Sequence, residues 1–261
     1  MAHVTPLPTL PPLADFASFR WPEGKRAALS ITFDDARLTQ PDNGFEILDR
    51  HGIPATFYVV PRAVEKRHDA WKRAVAAGHE IGNHTITHPC SGVAAWSRDN
   101  ALEDYTLDRI RQEIDGADEQ LHALLGVTPR TFAYPCGQSW VGRGASHHSY
   151  VPMIAERFLI GRGGGGHAVP GFVDLAQAPS LGSDRMTLEQ FHAEMERATK
   201  EGTWVMLTGH EIAADVSRDP LTTSTALLEA ICTYAKDPAH GIWVNTVEVV
   251  GTYIRERRVK G

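Results

Sequence analysis

Residues 27–35 read AALSITFDD, an apolar run that ends in two adjacent carboxylates. The apolar and β-branched residues predict a buried strand over about residues 27–33. A second short apolar run leads into NHTITH at residues 83–88, in which two histidines stand four residues apart. Carboxylate and imidazole groups are the ligands with which proteins hold a divalent ion such as zinc and activate water. The two motifs together therefore predict a metal-dependent hydrolase.

Apolar runs alternate with helical patterns along the rest of the chain. We predict strands at about residues 27–33, 55–60, 80–84, 131–134, 157–160, 203–208 and 242–245, and helices near residues 42–51, 66–77, 101–125, 187–201, 221–236 and 246–257. This alternation is typical of a parallel sheet, either closed into a barrel or open and covered on both faces. The glycine-rich run 161–166 lacks the lysine of a phosphate-binding loop and is interpreted as a flexible loop. A barrel is therefore favoured over a dinucleotide-binding fold.

Length and composition fit one catalytic domain over residues 1–261, with residues 1–20 as a proline-rich, extended N-terminal segment. The net charge of −6 and the lack of a basic stretch argue against a nucleic-acid partner, and no apolar run is long enough to span a membrane. The three cysteines are odd in number and form no C-x-x-C pair, which predicts no disulfide framework. Residues 1–20 do not resemble a secretory signal. The compartment stays open: free cysteines suit the cytoplasm, whereas a polymeric substrate suits export after removal of a signal.

Further polar candidates follow other predicted strands. His210 follows the strand at 203–208, and residues 134–137 (Tyr-Pro-Cys-Gly) follow the strand at 131–134. In a parallel barrel the carboxyl ends of all strands open on one face, so residues far apart in sequence are expected to share a cleft there. Alone, the Asp pair would be more typical of a turn, and His210 of an exposed surface. Beside a metal site, one carboxylate serves as ligand and the other as base, and a histidine that titrates near neutral pH serves as proton donor.

These motifs resemble those of the polysaccharide deacetylases, the NodB-homology carbohydrate esterases, over about residues 26–257. The resemblance rests on TFDD at 32–35, GHEIGNHTITH at 78–88, FAYPCG at 132–137, LTGH at 207–210 and GIWV at 241–244. It implies an α/β fold, a distorted (β/α) barrel of about seven parallel strands. It further implies a divalent metal, with zinc the expected ion, held by Asp35, His84 and His88. Its remaining implications are Asp34 as general base, His210 as general acid, and the backbone N–H of Cys136 as a donor to the oxyanion.

The chain departs from the family pattern at three positions. Ala133 replaces an arginine that pairs with the base in many members, so another cation, such as Arg162, is expected to take its place. Cys136 replaces an aromatic residue, and Glu211 replaces the aspartate that usually follows His210. The candidates for the carboxylate that orients His210 are Asp174 and Asp184. We predict Tyr134, Pro135, Trp140 and Arg162 as substrate-binding residues. The aromatic residues Trp96, Trp140 and Tyr150 fall in long loops, where they would either pack against sugar rings or anchor the loops as partly buried residues.

The resulting hypothesis is a hydrolase that removes acetyl groups from a carbohydrate by attack of a metal-bound water. The substrate would be either N-acetylated, as in chitin oligomers or peptidoglycan, or O-acetylated, as in xylan-like polymers. Two alternatives stay open: a small-molecule amidase of the allantoinase or cyclic-imide type on the same fold, and a catalytically inactive barrel that binds glycans. The expected partner is thus an acetylated carbohydrate, with no nucleic acid and no membrane, and the sequence leaves the oligomeric state open.

Overall fold

The computed structural model describes residues 19–259, so the predicted N-terminal segment 1–20 lies almost entirely outside the described residues. The main sheet has eight strands: β1 (Ala27–Asp34), β2 (Thr56–Val59), β3 (Glu80–Asn83), β4 (Thr131–Ala133), β5 (Ile160–Arg162), β6 (Leu181–Gly182), β7 (Trp204–Gly209) and β8 (Ile242–Val244). The α-helices are α1 (Phe45–His51), α2 (Pro61–Val64), α3 (His68–Ala76), α4 (Leu107–Leu125), α5 (Val151–Arg157), α6 (Leu188–Glu201), α7 (Thr225–Lys236) and α8 (Val247–Val259).

All strands of the main sheet are parallel, in the order β5-β4-β3-β2-β1-β7-β6. The eighth strand, β8, pairs with residues 27–29 of β1, whereas β2 pairs with residues 32–34 of the same strand. One edge of β1 is therefore shared by two strands. The sheet curls into a half-barrel of seven consecutive strands, so the predicted α/β fold with a distorted barrel of about seven parallel strands is confirmed.

A single extended segment links the two edges of the curled sheet. The N–H of Ala178 donates to the carbonyl of Gly161 on β5, and the N–H of Gly163 donates to the carbonyl of Ala178, both at 2.8 Å. A few residues later, Leu181 pairs in register with Leu207 on β7. Residues 178–182 therefore bridge β5 and β7, and the glycine-rich loop after β5 lies against this bridge.

The core explains why β1 lies inside the sheet and not at its edge. All eight of its residues are buried, because one face of β1 packs on the helices that surround the sheet and the other lines the interior of the half-barrel. Aromatic rings fill much of the space between sheet and helices, with Phe57 in edge contact with both Phe45 and Trp71. Burial of side chains of this size contributes about 1.5–3 kcal/mol each.

Several element boundaries differ from the sequence prediction. The helix predicted over 101–125 begins at Leu107, because the side chain of Thr106 caps it by accepting from the N–H of Arg109. The helix Val151–Arg157 was not predicted, and neither were the strand Leu181–Gly182 and two small two-stranded sheets. No helix among residues 19–259 combines the length and apolar character needed to cross a bilayer.

The prediction about the cysteines was wrong. Cys90 and Cys136 form a disulfide with a Cα–Cα distance of 6.1 Å, and only Cys232 remains a free thiol among the described residues. The number of cysteines is odd and no two are close in sequence, so the sequence does not indicate this pair, which lies 46 residues apart and is brought together by the fold. The argument that free cysteines suit the cytoplasm therefore no longer applies to two of the three.

Candidate active site

The ends of the parallel strands bring the predicted residues to one face of the sheet. Asp34 is the last residue of β1 and stands in register with Tyr58 on β2, while Phe33 stands in register with Gly209 at the end of β7. His84 directly follows β3, and His210 directly follows β7. Short strands in register end at the same level, so the side chains that follow them meet, as the barrel prediction required.

Asp35, His84 and His88 form a compact group of three ligand atoms, all within 4.8 Å of one another. Asp35 Oδ1 lies 3.6 Å from His84 Nε2 and 3.5 Å from His88 Nε2. Ligands about 2.0–2.2 Å from a tetrahedral zinc stand roughly 3.3–3.6 Å apart, so these separations fit one ion. Two imidazoles and one carboxylate also match the donor set of catalytic zinc sites, which keep a position open.

Neighbouring groups hold the three candidate ligands in orientation. His84 is 1 % exposed in its side chain, and its Nδ1–H donates to the carbonyl of Ala133 at 2.9 Å, which leaves Nε2 directed at Asp35. Arg37 donates to the other oxygen of Asp35 at 3.0 Å and also pairs with Glu211. The residue that departs from the family pattern after His210 therefore has a role in holding Arg37.

The charges of this group favour the forms that bind a cation. Burial lowers the pKa of His88 to about 4, helped by the neighbouring His84, so the ring is neutral near pH 7. Burial alone would raise the pKa of Asp35, but His84, His88 and Arg37 outweigh it and hold that pKa below its usual value. A neutral imidazole beside an ionised carboxylate is the protonation state that metal binding requires.

Asp34 lies beside this group and is paired with a buried arginine. Arg162, 4 % exposed, donates from Nη2 to Asp34 Oδ2 at 2.5 Å. Ser180 and Thr208 accept from Nη1 of the same guanidinium, whose Cζ lies 4.8 Å above the ring of Tyr58. Arg162 thus occupies the place predicted for a substitute cation. The other oxygen of Asp34, Oδ1, is buried and accepts no hydrogen bond from the residues described.

His210 is oriented by Asp184, one of the two carboxylates considered from the sequence. The Nδ1 of His210 lies 2.6 Å from Asp184 Oδ2, and the backbone N–H of His210 donates to Asp184 Oδ1 at 3.1 Å. Asp174 instead caps the short helical turn Leu175–Gln177. Burial lowers the pKa of His210, but the hydrogen bond to Asp184 and the nearby Asp34 carboxylate outweigh it and raise that pKa above its ordinary value.

Two residues that position the site were not predicted from the sequence. Gln40 is fully buried, and its Nε2 donates to the carbonyls of both Asp34 and His210, at 2.6 and 2.9 Å. Glu113 on α4 accepts from the N–H groups of Ile86 and Thr87, at 3.1 and 2.8 Å. Both lie in the loop of residues 84–88 that carries the two histidines, called the histidine loop below. A buried glutamine and a helical glutamate carry no local motif, so only the fold reveals what they hold.

Backbone strain is concentrated in the loops of this site. Seven non-glycine residues among those described have positive φ, and five of them lie in the three loops that carry the predicted site: Asp35, Ala36, Thr85, His88 and Cys136. Left-handed conformations cost non-glycine residues of order 1–3 kcal/mol and persist only where the surroundings enforce them. The concentration of such residues therefore supports a functional role for these loops.

A cleft of about 1470 Å³ opens over the site. Tyr134, Cys136 and Arg162 line it, as does Trp96, which is 69 % exposed and lies 6.2 Å from the ring of His88. Pro135 and Trp140 are not among the lining residues. Trp140 stacks on His147 in a small hairpin, and Tyr150 is buried against Tyr134. Of the predicted substrate-binding residues, the structure therefore brings Tyr134 and Arg162 to the cleft, the latter as a partner of Asp34.

Comparison with known proteins agrees with this geometry. Residues 21–143 match the family model described as polysaccharide deacetylase, a segment that contains the Asp pair, both histidines and the turn at Cys136. Over this segment the chain is similar to the polysaccharide deacetylases. A putative polysaccharide deacetylase from Mycobacterium smegmatis has a similar structure, with a TM-score of 0.63 at 17 % identity over 97 % of this chain and 96 % of that one.

Curated relatives are similar over shorter segments. A peptidoglycan-N-acetylglucosamine deacetylase from Bacillus cereus is 33 % identical over 43 % of this chain and 38 % of its own length. A chitooligosaccharide deacetylase from a Bradyrhizobium species is 43 % identical over 23 % of this chain and 27 % of its own length. The matched segments thus span less than half of these relatives.

Proposed function

We propose that this protein is a polysaccharide deacetylase, a metal-dependent hydrolase that removes acetyl groups from a carbohydrate. The observation that carries the proposal is one cleft in which three candidate metal ligands lie between two charged pairs, Asp34–Arg162 and His210–Asp184. A divalent ion bound by Asp35, His84 and His88 would lower the pKa of a bound water and polarise the acetyl carbonyl.

The roles of the surrounding residues follow from their contacts. Asp34 is the general base: Arg162 fixes its Oδ2, while its buried Oδ1 has no hydrogen-bond donor among the described residues and is left to take the proton of the attacking water. His210 is the general acid, because Asp184 binds its Nδ1 and leaves Nε2 to protonate the departing amine or alcohol.

The oxyanion of the tetrahedral intermediate requires a fixed donor. Cys136 lies in the cleft wall, and its backbone N–H donates to no acceptor within residues 19–259. The flanking amides are bound: Gly137 donates to the carbonyl of Tyr134, and Gln138 to that of Pro135. An unpaired amide beside the ligand group fits the predicted oxyanion donor, whose loss typically costs about 2.7–4 kcal/mol of transition-state stabilisation.

The size of the cleft favours an oligosaccharide over a small cyclic amide. Its volume of about 1470 Å³ exceeds the roughly 300–1,000 Å³ of typical small-molecule pockets. The exposed Trp96 beside His88 offers an aromatic face to a sugar ring. The pairing of Asp34 with Arg162 and of His210 with Asp184 also argues against an inactive glycan-binding barrel, which would not need these two ion pairs.

Acetate release tests the proposal directly. Purified protein supplied with zinc is incubated with chitooligosaccharides, with peptidoglycan fragments and with acetylated xylan, and acetate is measured. We expect release from at least one of the three and none after treatment with a chelator. Metal content is measured on the same sample. Full zinc occupancy without acetate from any substrate would contradict the proposed activity and favour a binding role.

A further inference from the structure

The Cys90–Cys136 disulfide joins two loops of the candidate active site. Cys90 stands two residues after His88, a candidate metal ligand, and Cys136 carries the amide assigned to the oxyanion. The two loops follow the neighbouring strands β3 and β4, and the chain between the two cysteines runs through α4. One covalent bond therefore connects the loop of the predicted metal site to that of the predicted oxyanion donor.

The Cys90 end of this bond is firmly anchored. Cys90 is 1 % exposed, and its N–H donates to Ser97 Oγ at 3.1 Å. Its carbonyl accepts from Ser97 Oγ at 2.8 Å and from the N–H of Leu102 at 3.0 Å. With both backbone groups bound and the side chain buried, Cys90 is a fixed point of the cleft wall.

The Cys136 end depends on external support. Cys136 is an exposed residue with φ of 54°, a left-handed conformation that is unfavourable for any residue except glycine. Its own N–H has no acceptor among residues 19–259. The rest of the turn has further restraints: the N–H of Gly137 is bonded within the turn, the N–H of Ser91 donates to Gln138 Oε1 at 2.7 Å, and Tyr150 Oη donates to the Gln138 carbonyl at 2.6 Å. The disulfide acts at Cys136 itself, the residue in the strained conformation.

The same bond touches His88. Cys90 Sγ lies 3.6 Å from His88 Nδ1, while the opposite ring nitrogen, Nε2, lies 3.5 Å from Asp35. Contact on one edge of the imidazole limits its rotation away from Asp35. The backbone of His88 is also held by a bond from its N–H to Thr85 Oγ1 at 3.0 Å, so its position does not rest on the disulfide alone.

We infer that the Cys90–Cys136 disulfide is a positioning element that aims the Cys136 amide into the cleft, and that activity therefore depends on the oxidation state of this pair. The inference rests on the proposed function. A dithiol that reduces the pair supplies two electrons and two protons: the S–S bond breaks, two thiols form, and the dithiol becomes a disulfide. Cys136 can then leave its strained conformation, and its N–H no longer points to the position of the oxyanion.

The central experiment compares the wild-type protein, C90A/C136A and C232A, each with and without a dithiol. C232A removes the buried free thiol and is expected to match the wild type. For C90A/C136A and for the reduced wild type, we expect kcat to fall by roughly 10- to 100-fold with KM and zinc affinity little changed. The reason is that the N–H of residue 136 is still present but is no longer directed at the oxyanion. The dithiol should not lower the kcat of C90A/C136A further, which controls for removal of metal by the reagent.

Hydrogen–deuterium exchange at residues 134–138 gives a readout independent of activity. We expect faster exchange in C90A/C136A and in the reduced wild type than in the oxidised wild type and C232A. If C90A/C136A does not fold, C136S takes its place, since it leaves the buried Cys90 intact. Unchanged exchange, or a loss of kcat that only follows loss of zinc, would overturn the inference. An oxidised wild type that releases no acetate defeats the proposed function, and exchange alone then decides the role of the disulfide.

Discussion

The general base is the residue on which the proposed chemistry depends most directly. Asp34→Asn keeps the shape of the side chain and the contact to Arg162 but removes the proton acceptor at Oδ1. We expect kcat to fall by about 10²–10⁴-fold with zinc content unchanged, the range that general-base catalysis usually supplies. Asp42→Asn is the matched control, because Asp42 pairs with Arg67 on the surface. Near-normal acetate release by Asp34→Asn would rule out this role.

The hydrogen bond between His210 and Asp184 leads to a prediction for the pH dependence of activity. The pKa of His210 is raised above its ordinary value by the hydrogen bond to Asp184 and by nearby carboxylates, which outweigh burial. The acid form therefore persists to higher pH, and the alkaline limb of kcat/KM should lie above about 6.5, the unperturbed value. In Asp184→Asn that limb should move to lower pH and kcat should fall. Asp174→Asn, which alters the other carboxylate considered from the sequence, should leave the profile unchanged.

At this scale the sequence predicted the residues that stand in local motifs and missed those that do not. Asp34, Asp35, His84 and His88 are marked by the strands that precede them. The choice of Asp184 over Asp174 required coordinates, because the spacing to His210 alone does not separate them. The pair Asp34–Arg162 spans 128 residues, and nothing near either residue in sequence indicates the other beyond the missing arginine at Ala133.

At the scale of elements, α4 supports the histidine loop through the side chain of Glu113. Glu113 accepts from two backbone N–H groups of that loop and from Thr87 Oγ1 at 2.8 Å. Glu113→Gln weakens these bonds without removing any metal ligand. We expect zinc affinity to fall by roughly 10-fold, at the lower end of the effect of partners behind metal ligands. Titration with a zinc indicator measures this, and Glu119→Gln, exposed on the same helix, should retain full affinity.

The same scale shows where sequence patterns suffice and where they fail. The sequence TLEQ at residues 187–190 is typical of a capping box, which is present, and left-handed glycines end α1, α4 and α6 as helix chemistry requires. The bridge at residues 178–182 and the disulfide were not predicted. The bridge depends on how far the sheet curls, because the curl sets the distance between β5 and β7, whereas the disulfide depends on the paths of the loops after the neighbouring strands β3 and β4. Curl is a property of the assembled sheet and leaves no local pattern in the chain.

For the whole molecule, a bound ion would join the ends of two strands and so stabilise the fold as well as the chemistry. Asp35, His84 and His88 follow β1 and β3, which stand on either side of β2 at the centre of the sheet. A ligand at 100 times its dissociation constant adds about 2.7 kcal/mol to the free energy of unfolding. For a chain of this length, that corresponds to a shift of about 5–10 °C in Tm.

Calorimetry of the metal-free and zinc-loaded protein therefore tests the site without any substrate. We expect a chelator to lower Tm by this amount and zinc to restore it. His88→Ala removes one ligand from a partly exposed position, so its Tm should respond only weakly to zinc, whereas Asp34→Asn should keep the full response because Asp34 is assigned to proton transfer and not to the ion. Equal responses of His88→Ala and the wild type would show that zinc binds elsewhere. Loss of the response in Asp34→Asn would instead move Asp34 into the ligand set, and the division of roles between the two adjacent aspartates would have to be reversed.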